Sequence, residues 1–145
     1  MSMPLLTDPT RLMICAHELA HATVFRDVGF RPESITVRGT GRRTVGAVDC
    51  GRATLGTTSR IRDYLIGVLA GTIAGNRWRE TYAPRLPFDE SAEDAHNLRW
   101  AVRLPLAREL STNDLRHEAR VRVGERWAEI TRLAPVLAER GTIRL

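Results

Sequence analysis

The segment ICAHELAHATVF, residues 14–25, places two histidines and a glutamate inside an otherwise apolar run. A fold that buries this run must satisfy two imidazoles and a carboxylate away from water, because leaving them without partners is costly. The flanks read as a helix. Asp8 suits its cap, Pro9 the first helical position, and Gly29 the residue just past its end. Leu12, Ala16, Ala20 and Val24 recur every fourth residue and predict an inward stripe.

On that helix His17 and His21 project from nearly the same side, one turn apart. Two imidazoles so placed reach one Zn²⁺ at ~2.0–2.1 Å. Glu18 follows the first of them and can swing over the open coordination position to take a proton from water there. Two ligands and a general base from one helical turn is the logic of H-E-x-x-H. A shuffled chain of this composition would show the pattern on the order of 1% of the time. The bland alternative is two surface histidines beside an ordinary glutamate, and the apolar surroundings argue against it.

A catalytic zinc takes a third protein ligand and leaves the fourth place to water. Asp89, Glu90, Glu93, Asp94, His96 and His117 are the downstream candidates. Asp94 and His96 are two apart, so on a helix they cannot both face the ion. Asp94 also has another job open to it, since Ser91 and Asp94 match the looser acidic form of a capping box. Spacing alone does not choose among the six.

Beyond the first helix, ESITVRG alternates and is β-branched, GTGRR is a turn, and TVGAVDCG is a second short strand, which together predict a hairpin. A second helix is expected from about Ser59 to Tyr82, stopping before Pro84. Gly67, Gly71 and Gly75 fall one turn apart along it and leave one side nearly bare. Each glycine weakens a helix by ~1 kcal/mol against alanine, so close approach of another helix is the expected reason. A third helix opens at Ser91 and ends near Pro105. A fourth follows Ser111, with Leu115, Ala119, Val123, Trp127, Ile130 and Leu137 on one stripe and a kink expected at Pro135. Cys15 is expected in the core pointing away from the histidines, and Trp78, Trp100 and Trp127 are expected in the core as well.

Composition excludes little but bounds much. At 145 residues the chain fits one domain, residues 1–145, with a real core. The longest apolar run, YLIGVLAGTIAG, is well short of the ~20 residues that a span needs, so no membrane span is expected. All 22 basic residues are arginine, and six fall between Arg38 and Arg62 against Asp49 alone. That basic stretch lacks aromatic interleaving and any DNA-reading motif, so nucleic acid is not the expected partner. Two cysteines and no secretion-signal pattern point to a reducing, cytoplasmic setting.

The ordered set HELAHATV, ESITVRG, YLIGVLAGTIAG, SAEDAHNLRWAVR and RWAEITRLAPVLAERGTI resembles the zinc peptidase domain of FtsH-type ATP-dependent membrane proteases. The likeness runs over most of the chain, and only its first motif is specific by itself. It implies a mostly α (α+β) fold, a zincin-type helical domain with a small hairpin or sheet beside the histidine helix. It implies Zn²⁺ held by His17, His21 and Asp94, with Glu18 as catalytic base. It also implies that the strand around Ile35 to Val37, or its hairpin partner, offers an edge on which an extended polypeptide can pair. Gly75 and Asn76 stand where that family usually has a glutamate pair. These 145 residues carry no ATPase module or membrane anchor, so the implied substrates are unfolded or flexible polypeptides. A separate ATPase partner would widen that range, and the resemblance also leaves room for a homo-oligomer like the family's ring. Two other readings stand beside it: a peptidase like the ImmA/IrrE group that cleaves one regulatory protein, and a zinc-containing binding module without turnover.

Overall fold

Asp8 starts the first helix, α1 (Pro9–Asp27), by accepting a hydrogen bond from the Arg11 backbone N–H at 3.0 Å, with Pro9 in the first turn. The chain leaves α1 through Gly29 at φ +95°, a left-handed conformation that glycine adopts without strain. The computed structural model describes residues 7–50 and 55–145. In these, α1 is followed by β1 (Ser34–Arg38), β2 (Val45–Asp49), α2 (Thr58–Tyr82), α3 (Ala92–Val102), α4 (Thr112–Arg140) and β3 (Thr142–Arg144). The fold is mostly helical α+β, with a three-stranded antiparallel sheet in the order β2-β1-β3.

The expected hairpin forms with Ile35 opposite Val48 and Arg38 opposite Val45, and a short 3₁₀ turn at Gly41–Arg43 joins its strands. The third strand was not expected. Gly141 ends α4 in the left-handed conformation at φ +77°, which turns Thr142–Arg144 back to pair with β1. β1 is therefore the central strand. Of the two strands proposed to offer an edge, only β2 does so on the side of the histidine helix.

Helix α1 is the centre of the molecule. Every residue from Cys15 to Phe25 is buried, so the stripe of Leu12, Ala16, Ala20 and Val24 was too narrow a description, and Leu12 itself is only half-buried. Small side chains at Ala16, Ala20 and Ala22 let α2, α4 and the sheet approach from several sides. Arg11, buried at the start of α1, donates to the carbonyls of Ala138 at 2.9 Å and Gly39 at 2.6 Å. One guanidinium thus ties α1 to the end of α4 and the end of β1. At the other end of α1, Arg126 of α4 donates from Nε to Asp27 at 2.6 Å.

The glycine row on α2 has the expected use, and one more. A β-carbon at Gly67 would run into the Phe25 ring, and one at Gly71 would meet His21 and His17, so α1 does approach there. Gly75, however, faces Asp89 of the loop before α3. The fourth-helix stripe is buried at Leu115, Ala119, Val123, Ile130 and Leu137, and the helix continues through Pro135 to Arg140. Cys15 is fully buried, and burial pushes its thiol up to about 12. The tryptophans divide. Trp78 is core, Trp127 is half-buried under the Arg77 guanidinium, and Trp100 is 51% exposed, against expectation. Helix α3, which carries Trp100, buries only Ala101, so most of its side chains face solvent or a cleft. Among the described residues no helix is long and apolar enough to cross a membrane.

Candidate metal centre

His17 and His21 meet edge to face with ring centroids 4.6 Å apart in the buried middle of α1. Their Nε2 atoms are 2.9 Å apart. Asp94, from the first turn of α3, brings Oδ2 to 2.8 Å from His17 Nε2 and 3.0 Å from His21 Nε2. Three ligand atoms from three side chains therefore form one nearly equilateral triangle.

The other side of each ring decides what this triangle can do. His21 Nδ1 is 2.8 Å from the Gly67 carbonyl, which can only accept, so Nδ1 carries the proton. His17 Nδ1 is 2.6 Å from Asp89 Oδ2, a buried carboxylate, and donates to it. In their neutral forms both histidines then turn an Nε2 lone pair toward the Asp94 carboxylate. Three acceptors cannot face one another below ~3 Å without a positive charge among them. A metal ion satisfies all three at once, and fixing the far N–H on a carboxylate or backbone carbonyl is how metal-ligating histidines are oriented. His17, His21 and Asp94 can hold a metal ion.

Without an ion, a proton must take that place. Burial opposes protonation of His17, yet hydrogen bonds to Asp89 and Asp94 prevail and push it up to about 10. Burial likewise opposes ionisation of Asp94, and the two histidines overcome it, holding the carboxyl well below the usual range. Because His17 is raised, the metal-free site keeps its proton at neutral pH and loses it only as pH rises toward 10. Metal uptake must expel that proton. Calorimetric titration at pH 7.5 in buffers of different ionisation enthalpy is expected to show about one proton released per ion, with affinity falling as pH is lowered. Equal heats in all buffers would contradict this.

Spacing along the chain leaves six candidates for the third ligand. Asp94 meets the histidines, while His96, His117, Glu90 and Glu93 are exposed. Asp94 also holds its place at the helix start, where its backbone N–H donates to Ser91 Oγ at 3.1 Å, but its carboxylate goes to the histidines. Asp89 is the residue whose part the sequence did not show. Its backbone is clamped on Asn76, whose Oδ1 accepts from the Asp89 N–H at 2.8 Å and whose Nδ2 donates to the Asp89 carbonyl at 3.3 Å. Asp89→Asn, which keeps the shape and removes the charge behind His17, is expected to weaken metal binding 10- to 100-fold, read by competition with a chromophoric chelator.

Glu18 lies 8% exposed with Oε1 3.9 Å from His17 Nε2. Burial raises its pKa, partly offset by His21 and His17. Space for it comes from Gly46 of β2, where a β-carbon would come within 2.5 Å of Glu18 Cγ. Glu18, His21 and Asp94 share a cavity of about 220 Å³ with Gly46, Ala47, Val48 and Tyr64. Glycine at position 71 serves the site in the same way. A β-carbon there would stand 2.7 Å from His17 Nε2 and closer still to His21 Nε2. Overpacking of this kind costs about 1–3 kcal/mol. Gly71→Ala is expected to spend it on displacing the imidazoles, as metal affinity reduced by an order of magnitude or more with the fold retained by circular dichroism.

No protein-family model matches the chain, and no curated protein matches it by sequence.

Proposed function

We propose that the protein is a zinc metallopeptidase of the FtsH-like, zincin type that hydrolyses unfolded or flexible polypeptides. One observation carries the reading. His17, His21 and Asp94 converge on a single point, and the buried carboxylate of Glu18 lies 3.9 Å from the nearest of their ligand atoms, beside the open edge of β2. Two histidines and one carboxylate suit Zn²⁺ with a coordination place left over for catalysis. Bound there, zinc supplies Lewis-acid chemistry, polarising a carbonyl and acidifying water.

The chain's own residues supply the rest. His17 and His21 are fixed in orientation by Asp89 and the Gly67 carbonyl. The Glu18 carboxylate, buried beside His17, would take a proton from the attacking water and return it to the leaving amine. The β2 edge holds a substrate backbone by strand pairing, which is independent of side-chain identity. Such a mode suits an extended chain and excludes folded proteins.

The test is zinc content by elemental mass spectrometry, followed by incubation of the zinc-loaded protein with an unfolded, labelled polypeptide. About one zinc per chain and chelator-sensitive cleavage are expected. Zinc without cleavage would instead mark a non-catalytic binding module. Cleavage confined to one site of one folded regulator would favour the ImmA/IrrE-like alternative.

A further inference from the structure

Strand β2 has different ends. Its start adjoins the 3₁₀ turn that carries Arg42 and Arg43, and Arg38 lies opposite Val45 in the register. All three arginines are exposed, and among the described residues none of their side chains makes an ion pair or hydrogen bond. Asp8, the acid held against this turn, is already engaged by the backbone N–H groups of Arg11 and Gly41. Toward the other end of β2 the cavity is lined by Phe25, Tyr64 and the carboxylate of Glu93. Gly46, over Glu18, marks the reacting centre between them.

Resting on the peptidase reading, we propose that this polarity selects the substrate: polypeptides with acidic residues about three positions to the C-terminal side of the cleaved bond. Arg43 precedes Gly46 by three residues, ~10 Å at the rise of an extended chain. A carboxylate at that separation from the scissile carbonyl lies within reach of Arg42 and Arg43. The direction follows from pairing. An antiparallel ladder is the more stable per residue, and a segment antiparallel to β2 runs from the Asp49 end toward the Val45 end. Residues beyond the cleaved bond then pass the arginines, while those before it pass Tyr64 and Glu93. An acidic stretch bound in reverse would meet Glu93 and Asp94 instead of the arginines.

The experiment uses zinc-loaded Glu18→Gln protein, so that binding is read without turnover. Two fluorescein-labelled peptides share one apolar centre. One carries Asp-Glu and the other Arg-Arg, three and four residues to its C-terminal side. By anisotropy at low salt, the acidic peptide is expected to bind on the order of 3- to 30-fold more tightly, as two partly screened charge pairs allow. The preference should shrink with added salt and invert when Arg42→Glu and Arg43→Glu are added. Arg42→Gln with Arg43→Gln should abolish it without inversion. Equal binding of the two peptides, no binding of either, or a preference unchanged in the swapped variant would overturn the proposal. Preference and inversion with no hydrolysis by the Glu18-intact protein would uphold the selection of acidic polypeptides at the β2 edge and overturn the peptidase reading, on which their placement relative to a cleaved bond rests.

Discussion

Asp94→Ala is expected to empty the site of zinc. The substitution removes one of the three candidate ligand atoms and, among the described residues, the only carboxylate within 3.0 Å of both Nε2 atoms. Two imidazoles then remain, and the loss should exceed the 10- to 100-fold that accompanies loss of a supporting partner. The consequence extends to the fold, because Asp94 belongs to the helix with the weakest anchorage. Only Ala101 of α3 is buried, so an ion held by Asp94 and the α1 histidines would add a main tie to that helix. An ion present at about 1,000 times its Kd adds ~4 kcal/mol of stability. In a domain of this size that is roughly 10 °C in Tm. Chelator should therefore lower the Tm of the zinc-loaded protein by about that much and leave Asp94→Ala unmoved. Amide exchange should quicken first in α3. His96→Ala, two residues on and exposed, should keep both zinc and Tm. If it lost zinc while Asp94→Ala retained it, the ligand set would be wrong.

Glu18→Gln is the second large effect, with the opposite profile. The amide occupies the space that Gly46 leaves and touches no ligand bond, so zinc stays at about one per chain. It cannot accept a proton, and removal of a positioned general base costs roughly 10²–10⁴ in rate. Cleavage of an unfolded polypeptide should fall by that factor in kcat, with KM little changed. The stability effect has a definite sign. In the metal-free protein burial raises the folded-state pKa of Glu18, so its ionised form costs stability as pH rises above its ordinary value. A neutral amide removes that cost, and metal-free Glu18→Gln should be as stable as the metal-free natural protein or more so. Retained hydrolysis in this variant would remove Glu18 from the mechanism.

The local elements were legible because their causes are local. Asp8, Pro9 and Ser91 act on backbone groups within one turn, and the caps form at Asp8 and Ser91 where their spacing places them. The hairpin follows from alternation and a glycine-bearing turn. Trp100 was misjudged because aromatic character by itself does not say which face of a helix is covered. Helix α3 carries too little apolar surface to bury it. The strand Thr142–Arg144 was missed because three residues hold no period, and only the turn at Gly141 brings them against β1.

The division is clearest at the centre itself. His17, Glu18 and His21 were fixed by the sequence, because one helical turn sets two imidazoles on the same side whatever surrounds them. Asp94 is 73 residues from His21 and Asp89 is 72 from His17. Which acid reaches a lone pair over such a separation depends on how α2 and α3 pack on α1, and that depends on Gly67, Gly71 and Gly75 letting the helix and the loop come close. Spacing along the chain orders neighbours within a turn. Spacing left Asp94 and Asp89 alike and only the resemblance pointed to Asp94; the packed core is what turns Asp94 toward both Nε2 atoms and sets Asp89 behind His17.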